Sequence, residues 1–306
     1  MALELLGYVD LPAHAKSGGF DHAAVHRGSG RVYVAHTAND ALEVIDGATH
    51  RLLGDVPDLA GVAGALVSDE DDLVFTSNRG ENTVGIFSLA DPRVVKVAVG
   101  IGPNGLAYDP RRRRLLAANV GDPSVAGSFT VSIVDVGRMT RIAEVPVPGR
   151  TRWTVFDPDA DAFHVNVMEP PHIVVLDAAE PATRQRVVRM PSAGPHGLDL
   201  DRIGRRVFCA CDGGLLVEVQ ADSGEILRQT ELGGVPDVIF FNAALGRLYV
   251  AIADPGMIEV FDTAALRRCE VVRTERGAHT LAFDAARSTV YAFLPDTHRA
   301  ALYRDG

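Results

Sequence analysis

Imidazoles and carboxylates recur in this chain at intervals of about 42 residues: Asp21 with His22 beside it, then His196, Asp237 and His279. These are ligand types for zinc or another divalent first-row metal. Asn104 and Arg152 fall in the same series, and a guanidinium can hold a carboxylate or a developing oxyanion. The pattern predicts that His196 and His279 coordinate a divalent metal, with Asp237, Asp21 or His22 completing the shell. Arg152 and Asn104 would face it and orient an anionic or carbonyl-bearing ligand. A metal there would polarise a carbonyl or acidify a bound water, which is lyase or hydrolase chemistry. His196, His279 and Arg152 are then the catalytic candidates. Without metal, one of the histidines would serve as a general base. His36 and Asn119 join the ligand-binding candidates because each ends a strand at the same edge. No G-x-S-x-G elbow and no phosphate or dinucleotide loop occurs.

Residues so far apart in sequence need a repeating scaffold to bring them together, and the chain supplies one. Seven blocks share three short β-type segments. The third segment reads ALEVID at 41–46, TVGIFS at 83–88, TVSIVD at 130–135 and HIVVLD at 172–177, then LLVEVQ, MIEVFD and AALYRD. The second reads RVYVAH, DLVFTSN, RLLAAN, AFHVNV, RVFCAC, RLYVAI and TVYAFL. A short apolar first segment precedes each, separated by turn residues such as Asp109-Pro110 and Asp157-Pro158. No stretch holds a helical period over three turns. Periods of 40 to 45 residues built from such segments indicate propeller blades of four antiparallel strands.

The fold class is therefore all-β, a single seven-bladed β-propeller domain over residues 1–306. The seventh block lacks a fourth strand, and residues 3–9 (LELLGYV) resemble the fourth strands of other blocks. Pairing them with the last blade closes the ring and removes an exposed edge. In this register the seven equivalent positions at the channel entrance are Asp21, Ala63, Asn104, Arg152, His196, Asp237 and His279. Against convergence stands the width of a seven-bladed channel, which would leave ordered water in its middle. Trp153 is expected to be an interblade core anchor. Asp199 interrupts an apolar row, and Arg205 is its expected partner in a structural bridge.

Pro103-Asn104-Gly105-Leu106-Ala107-Tyr108-Asp109-Pro110, repeated in part at Pro195-His196-Gly197-Leu198, resembles the opening of YVTN-type propeller repeats. Arg31-Val32-Tyr33-Val34, Arg247-Leu248-Tyr249-Val250 and Val44-Ile45-Asp46 resemble the rest of that repeat. The resemblance covers essentially the whole chain and implies the fold. Propellers such as virginiamycin B lyase, gluconolactonase-type enzymes and the lyase half of peptide-amidating enzymes use a divalent metal at the mouth. The resemblance thus implies a metal-dependent lyase or lactonase as one outcome.

Composition bounds the partners. A formal charge of −10 and a pI near 5.4 argue against nucleic acid or an anionic membrane. The run Arg111 to Arg114 reads as a solvated basic turn. Three cysteines fit a reducing compartment, with Cys209 and Cys211 as core residues. The start of the chain lacks the pattern of a signal peptide, so a cytoplasmic location is expected if it is the natural start. A small-molecule ligand or substrate is the expected partner. The alternative is a non-catalytic scaffold that presents the loop face to a protein partner, and such a face would carry exposed apolar anchors. The loops here are polar, acidic and rich in glycine.

Overall fold

The computed structural model describes residues 3–306. They form 28 strands in seven four-stranded antiparallel sheets, with one short 3-10 turn at Thr37–Asn39. Each sheet is one blade of a β-propeller, and its strands are called A to D from the channel outward. In blade one these are Phe20–His26, Arg31–His36, Ala41–Asp46 and Arg51–Val56. Strands B and C are buried almost throughout, because both sheet faces pack against neighbouring blades. Strands D alternate exposed and half-buried residues, as at Ile226–Glu231, because one edge meets solvent.

The expected closure is present. The N-terminal strand Glu4–Asp10 pairs antiparallel with Arg299–Arg304, so the last sheet takes one strand from the start of the chain and three from its end. Val9 and Leu11 enter the core between blades seven and one, with Phe20, Val34, Tyr291 and Phe293.

Turn chemistry repeats with the blades. All seven A–B turns place one residue in the left-handed region: Gly30, Asp72, Arg113, Asp161, Arg205, Gly246 and Ser288. The polar residue ending strand A accepts backbone N–H groups of the turn, as Asp109 does from Arg111 and Arg112. Asp157, Asn242 and Asp284 do the same. A side chain that captures the turn's own amides favours a tight reversal over a longer loop.

Two side-chain expectations change here. Arg111 and Arg112 are not merely solvated. Both bind Asp161 of the next blade, Arg112 also binds Asp109, and Arg114 donates to the Ala178 carbonyl. Arg205 does not reach Asp199. It binds Asp157 and Asp222 instead. Asp199 is braced by backbone, accepting Leu200 N–H at 2.8 Å and, across to blade six, Phe241 N–H at 2.6 Å. Burial pushes its carboxyl up to about 6 against the pull of those two amides. Cys209 and Cys211 lie fully buried between blades four and five, sulfurs 3.9 Å apart.

Candidate functional site

The seven register positions sit at the start of strand A, and the ladder there is irregular in six blades. Pairing with strand B slips between residues 20 and 23, 62 and 64, 103 and 106, 151 and 154, 195 and 197, and 236 and 239. Such bulges turn a side chain out of the sheet plane, here into the channel. The glycine of the P-x-G opening has a steric reason. A Cβ on Gly105 would overlap the Arg152 carbonyl of the next blade, and one on Gly197 would overlap that of Asp237. Glycine lets neighbouring A strands approach at the depth where the mouth residues emerge.

The side chains converge, contrary to the channel-width objection. Trp153 of blade four and His22 of blade one, on opposite sides of the ring, meet with centroids 4.1 Å apart. Trp153 also contacts Phe240 edge-on at 6.4 Å. Only residues reaching across the channel can touch in this way, so Trp153 is part of a channel floor as well as an interblade anchor. Burial lowers the His22 imidazole's proton affinity despite Asp21 and Asp237 nearby, which keeps the floor neutral.

Above this floor lies a chain of ionisable groups. His196 Nδ1 is 2.8 Å from Asp212 Oδ1, and its Nε2 is 3.1 Å from Asp237 Oδ1. Burial opposes a charge on this ring, but Asp237 and then Asp212 overcome it and raise the imidazole to about 9. Burial likewise opposes ionisation of Asp237. His196, ahead of His279 and His22, outweighs it and holds the carboxyl well below the usual range. His279 Nδ1 lies 2.8 Å from the Gly277 carbonyl, and Nε2 is directed at Asp237, 4.0 Å away. Donation from Nδ1 to that carbonyl fixes the ring so that Nε2 faces the channel.

This geometry replaces the metal shell expected from His196, His279, Asp237 and Asp21. Among the described residues no group of three or more His, Cys, Asp or Glu is arranged to hold a metal ion. The physical reason is visible at His196. Both ring nitrogens lie on carboxylates, at 2.8 and 3.1 Å, so neither offers a metal a free lone pair. Asp21 turns instead towards Arg79, 3.5 Å away.

The opposite side of the mouth is arginine-rich. Arg79 donates to the Asn104 side-chain amide oxygen Oδ1, so that candidate is already engaged by a neighbour. Arg152 lies 3.9 Å from Asp212 and 3.4 Å from the Met168 sulfur, and its buried Nε has no hydrogen-bond partner. Arg150 makes no carboxylate contact among the described residues. Burial, then Arg152 and Arg79, weaken its hold on its proton. Arg79, Arg150, Arg152 and the His196 imidazolium thus set four positive charges against Asp21, Asp212 and Asp237. Among these seven groups positive charge exceeds negative by one, in a chain of formal charge −10.

Two ligand candidates do not face the mouth. His36 is fully buried with Nδ1 on Glu43 Oε1 at 2.8 Å, and Asn119 spends its amide on Thr130 and Ser132. Both end strand B with the side chain directed into the blade. The residue one position further on is the one that reaches the mouth. Arg79, Met168 and Asp212 all occupy it, and register alone puts Arg79 and Asp212 on this face, though as ordinary loop residues rather than ligand-binding ones.

No protein-family model matches the chain, and no curated protein matches it. The resemblance to YVTN repeats therefore gains no support as a family assignment. Solved structures do match, 1775 chains in all, so the architecture is too widely shared to carry a function. One is hydrazine synthase of Kuenenia stuttgartiensis, with TM-score 0.81 and 13% identity over 96% of this chain and 98% of that one. Another comes from a mitotic checkpoint complex, with TM-score 0.82 and 9% identity over 99% and 92%. At these identities the likeness shows the seven-bladed fold alone. No helix among the described residues is long and apolar enough to cross a membrane.

Proposed function

We propose that the mouth of the propeller binds a small carboxylate-bearing molecule, held by Arg152, Arg150 and Arg79 above the Trp153–His22 floor. The cluster of three guanidiniums at the mouth of an acidic protein, with the Arg152 Nε left unpartnered, carries this reading. Arg79 and Arg150 stay exposed, but the largely buried Arg152 keeps an unpartnered Nε and only a distant carboxylate, and an anionic ligand would supply its partner. The floor offers an aromatic face to the ligand's apolar part. On the far wall, His279 Nε2 and the Asp212–His196–Asp237 chain supply a proton acceptor and a stored proton. Acid–base chemistry on the bound molecule, of lyase or hydrolase type, would draw on those groups.

A scaffold role would place apolar anchors on the same face. The exposed large hydrophobics lie mostly on the outer D strands, as with Leu53, Val95, Ile142, Val187, Leu227 and Val271. Among the described residues only Val125, in a loop, and Val235, at the start of strand A of blade six, lie on the mouth face. Their scarcity favours the small-molecule reading over the protein partner suggested by a checkpoint-complex neighbour.

Titration calorimetry against a panel of mono- and dicarboxylates tests this. Arg152→Gln, which removes the charge and keeps the polar stem, is expected to weaken the best binder at least about tenfold, from loss of a charge-assisted bond. Affinity unchanged by Arg152→Gln, or no carboxylate bound at all, would sink the proposal.

A further inference from the structure

Away from the channel, three of the ten histidines meet at the seam where the ring closes. Residues 11–19 form a strap between the closing strand Glu4–Asp10 and strand A of blade one. His14, halfway along it, inserts between His298, at the start of the last strand hairpin's outer leg, and His36 of blade one. The ring centroids are 4.4 Å and 5.0 Å from that of His14, and Phe20 closes the nest at 5.1 Å. His14 Nε2, His36 Nε2 and His298 Nδ1 are all buried from solvent without a hydrogen-bond partner. The rings meet edge to face, and no metal-holding group exists among the described residues.

We propose that His14 is a pH-sensitive latch: neutral, it seats the 11–19 strap between His36 and His298, and protonated, it leaves the nest and releases the strap. Charging His14 would put a cation with an unsatisfied N–H against two further imidazoles. The groups facing it are few. His36 comes from strand B and is tied to Glu43, while His298 and Asp296 come from the turn before the last strand. Burial and then His36 and His298 disfavour the charged form, and exposed Asp296 opposes them only weakly. The strap's ends are pinned, Leu11 in the core with its N–H on the His298 carbonyl at 2.9 Å and Gly19 accepting the Ala38 N–H at 3.3 Å, and the other tethers between them are surface contacts. Ala15 N–H donates to Asn39 Oδ1 at 2.8 Å, Asn39 Nδ2 donates to the Ala13 carbonyl at 3.1 Å, and Lys16 pairs with Asp40. Exposed tethers of this kind hold little against the loss of the nest.

The direction of the pH response follows from linkage. The seated His14 binds a proton less readily than a free histidine, so seating is fully favourable above about pH 6.5 and weakens as pH falls below it. Hydrogen exchange, corrected for intrinsic rates, reads this locally. Between pH 7.5 and 5.5 the protection of residues 11–19 should fall, by up to about tenfold, the limit set by one pH unit below a free imidazole's value. The B and C strands of blade three serve as an internal reference and should keep their protection. His14→Leu should show no such response, whatever its absolute protection. His298→Asn, which keeps His14 but removes its nearest imidazole, should reduce the response. A wild-type strap equally protected at both pH values overturns the latch, as does a response left unchanged in His14→Leu or His298→Asn.

Discussion

Removing residues 1–10 lowers the melting temperature by more than about 10 °C, or abolishes a cooperative transition altogether. The estimate follows from what that strand does. It pairs with Arg299–Arg304, and each lost ladder bond costs roughly 0.5–1.5 kcal/mol. Leu3 and Val9 leave the core, at about 1.5–3 kcal/mol each. The Leu3 N–H also loses the Glu270 carboxylate, 2.9 Å away. The total exceeds about 5 kcal/mol, the lower end of whole-domain stabilities, and each kcal/mol moves the melting point of a protein this size by roughly 2–4 °C. The uncovered edge of Arg299–Arg304 would promote association besides. Calorimetry with light scattering checks both effects. A truncated protein melting within about a degree of the full chain would show that this strand is not what closes the ring.

At the mouth, the largest expected effect belongs to Asp237→Asn. In the unsubstituted protein the His196 ring titrates near 9, far above a free imidazole. Because the folded state holds this proton more tightly, the ion pair stabilises fully below about pH 6.5. That contribution is lost as pH rises through about 9. At 1.36 kcal/mol per unit the loss reaches about 3 kcal/mol. Asn cannot supply the countercharge, so the His196 midpoint should fall by at least about one unit, with Asp212 retaining the rest. The loss of stability between pH 6.5 and 9 should shrink with it. NMR of the imidazole resonances and urea titrations at the two pH values measure both. A wild-type His196 that titrates below 7 would show that the Asp–His–Asp chain is not charged as described.

Much of this protein is local in origin and was therefore readable from the chain. Strand positions, turn residues such as Asp109-Pro110, and the closing role of residues 3–9 all follow from periodicity and from side chains acting on their own neighbourhood. The ring of mouth positions also came from register alone, because each blade repeats the same offset. What those side chains do to one another was not readable. His196 looks like a metal ligand in sequence. Only the fold brings Asp212 and Asp237 onto its two nitrogens and makes it a cation. A buried carboxylate such as Asp199 suggests a charged partner like Arg205, yet the fold satisfies it with amides from Leu200 and Phe241. His22 and Trp153 are three blades apart, and nothing in their local sequence announces that they meet across the channel. His36 and Asn119 ended their strands at the right edge but faced into the blade, while Arg79 and Asp212, one residue on, reached the mouth. Pattern along a chain encodes which face a residue takes within its own sheet. Protonation and pairing depend on charges arriving from distant blades, and closure of the ring alone sets those distances.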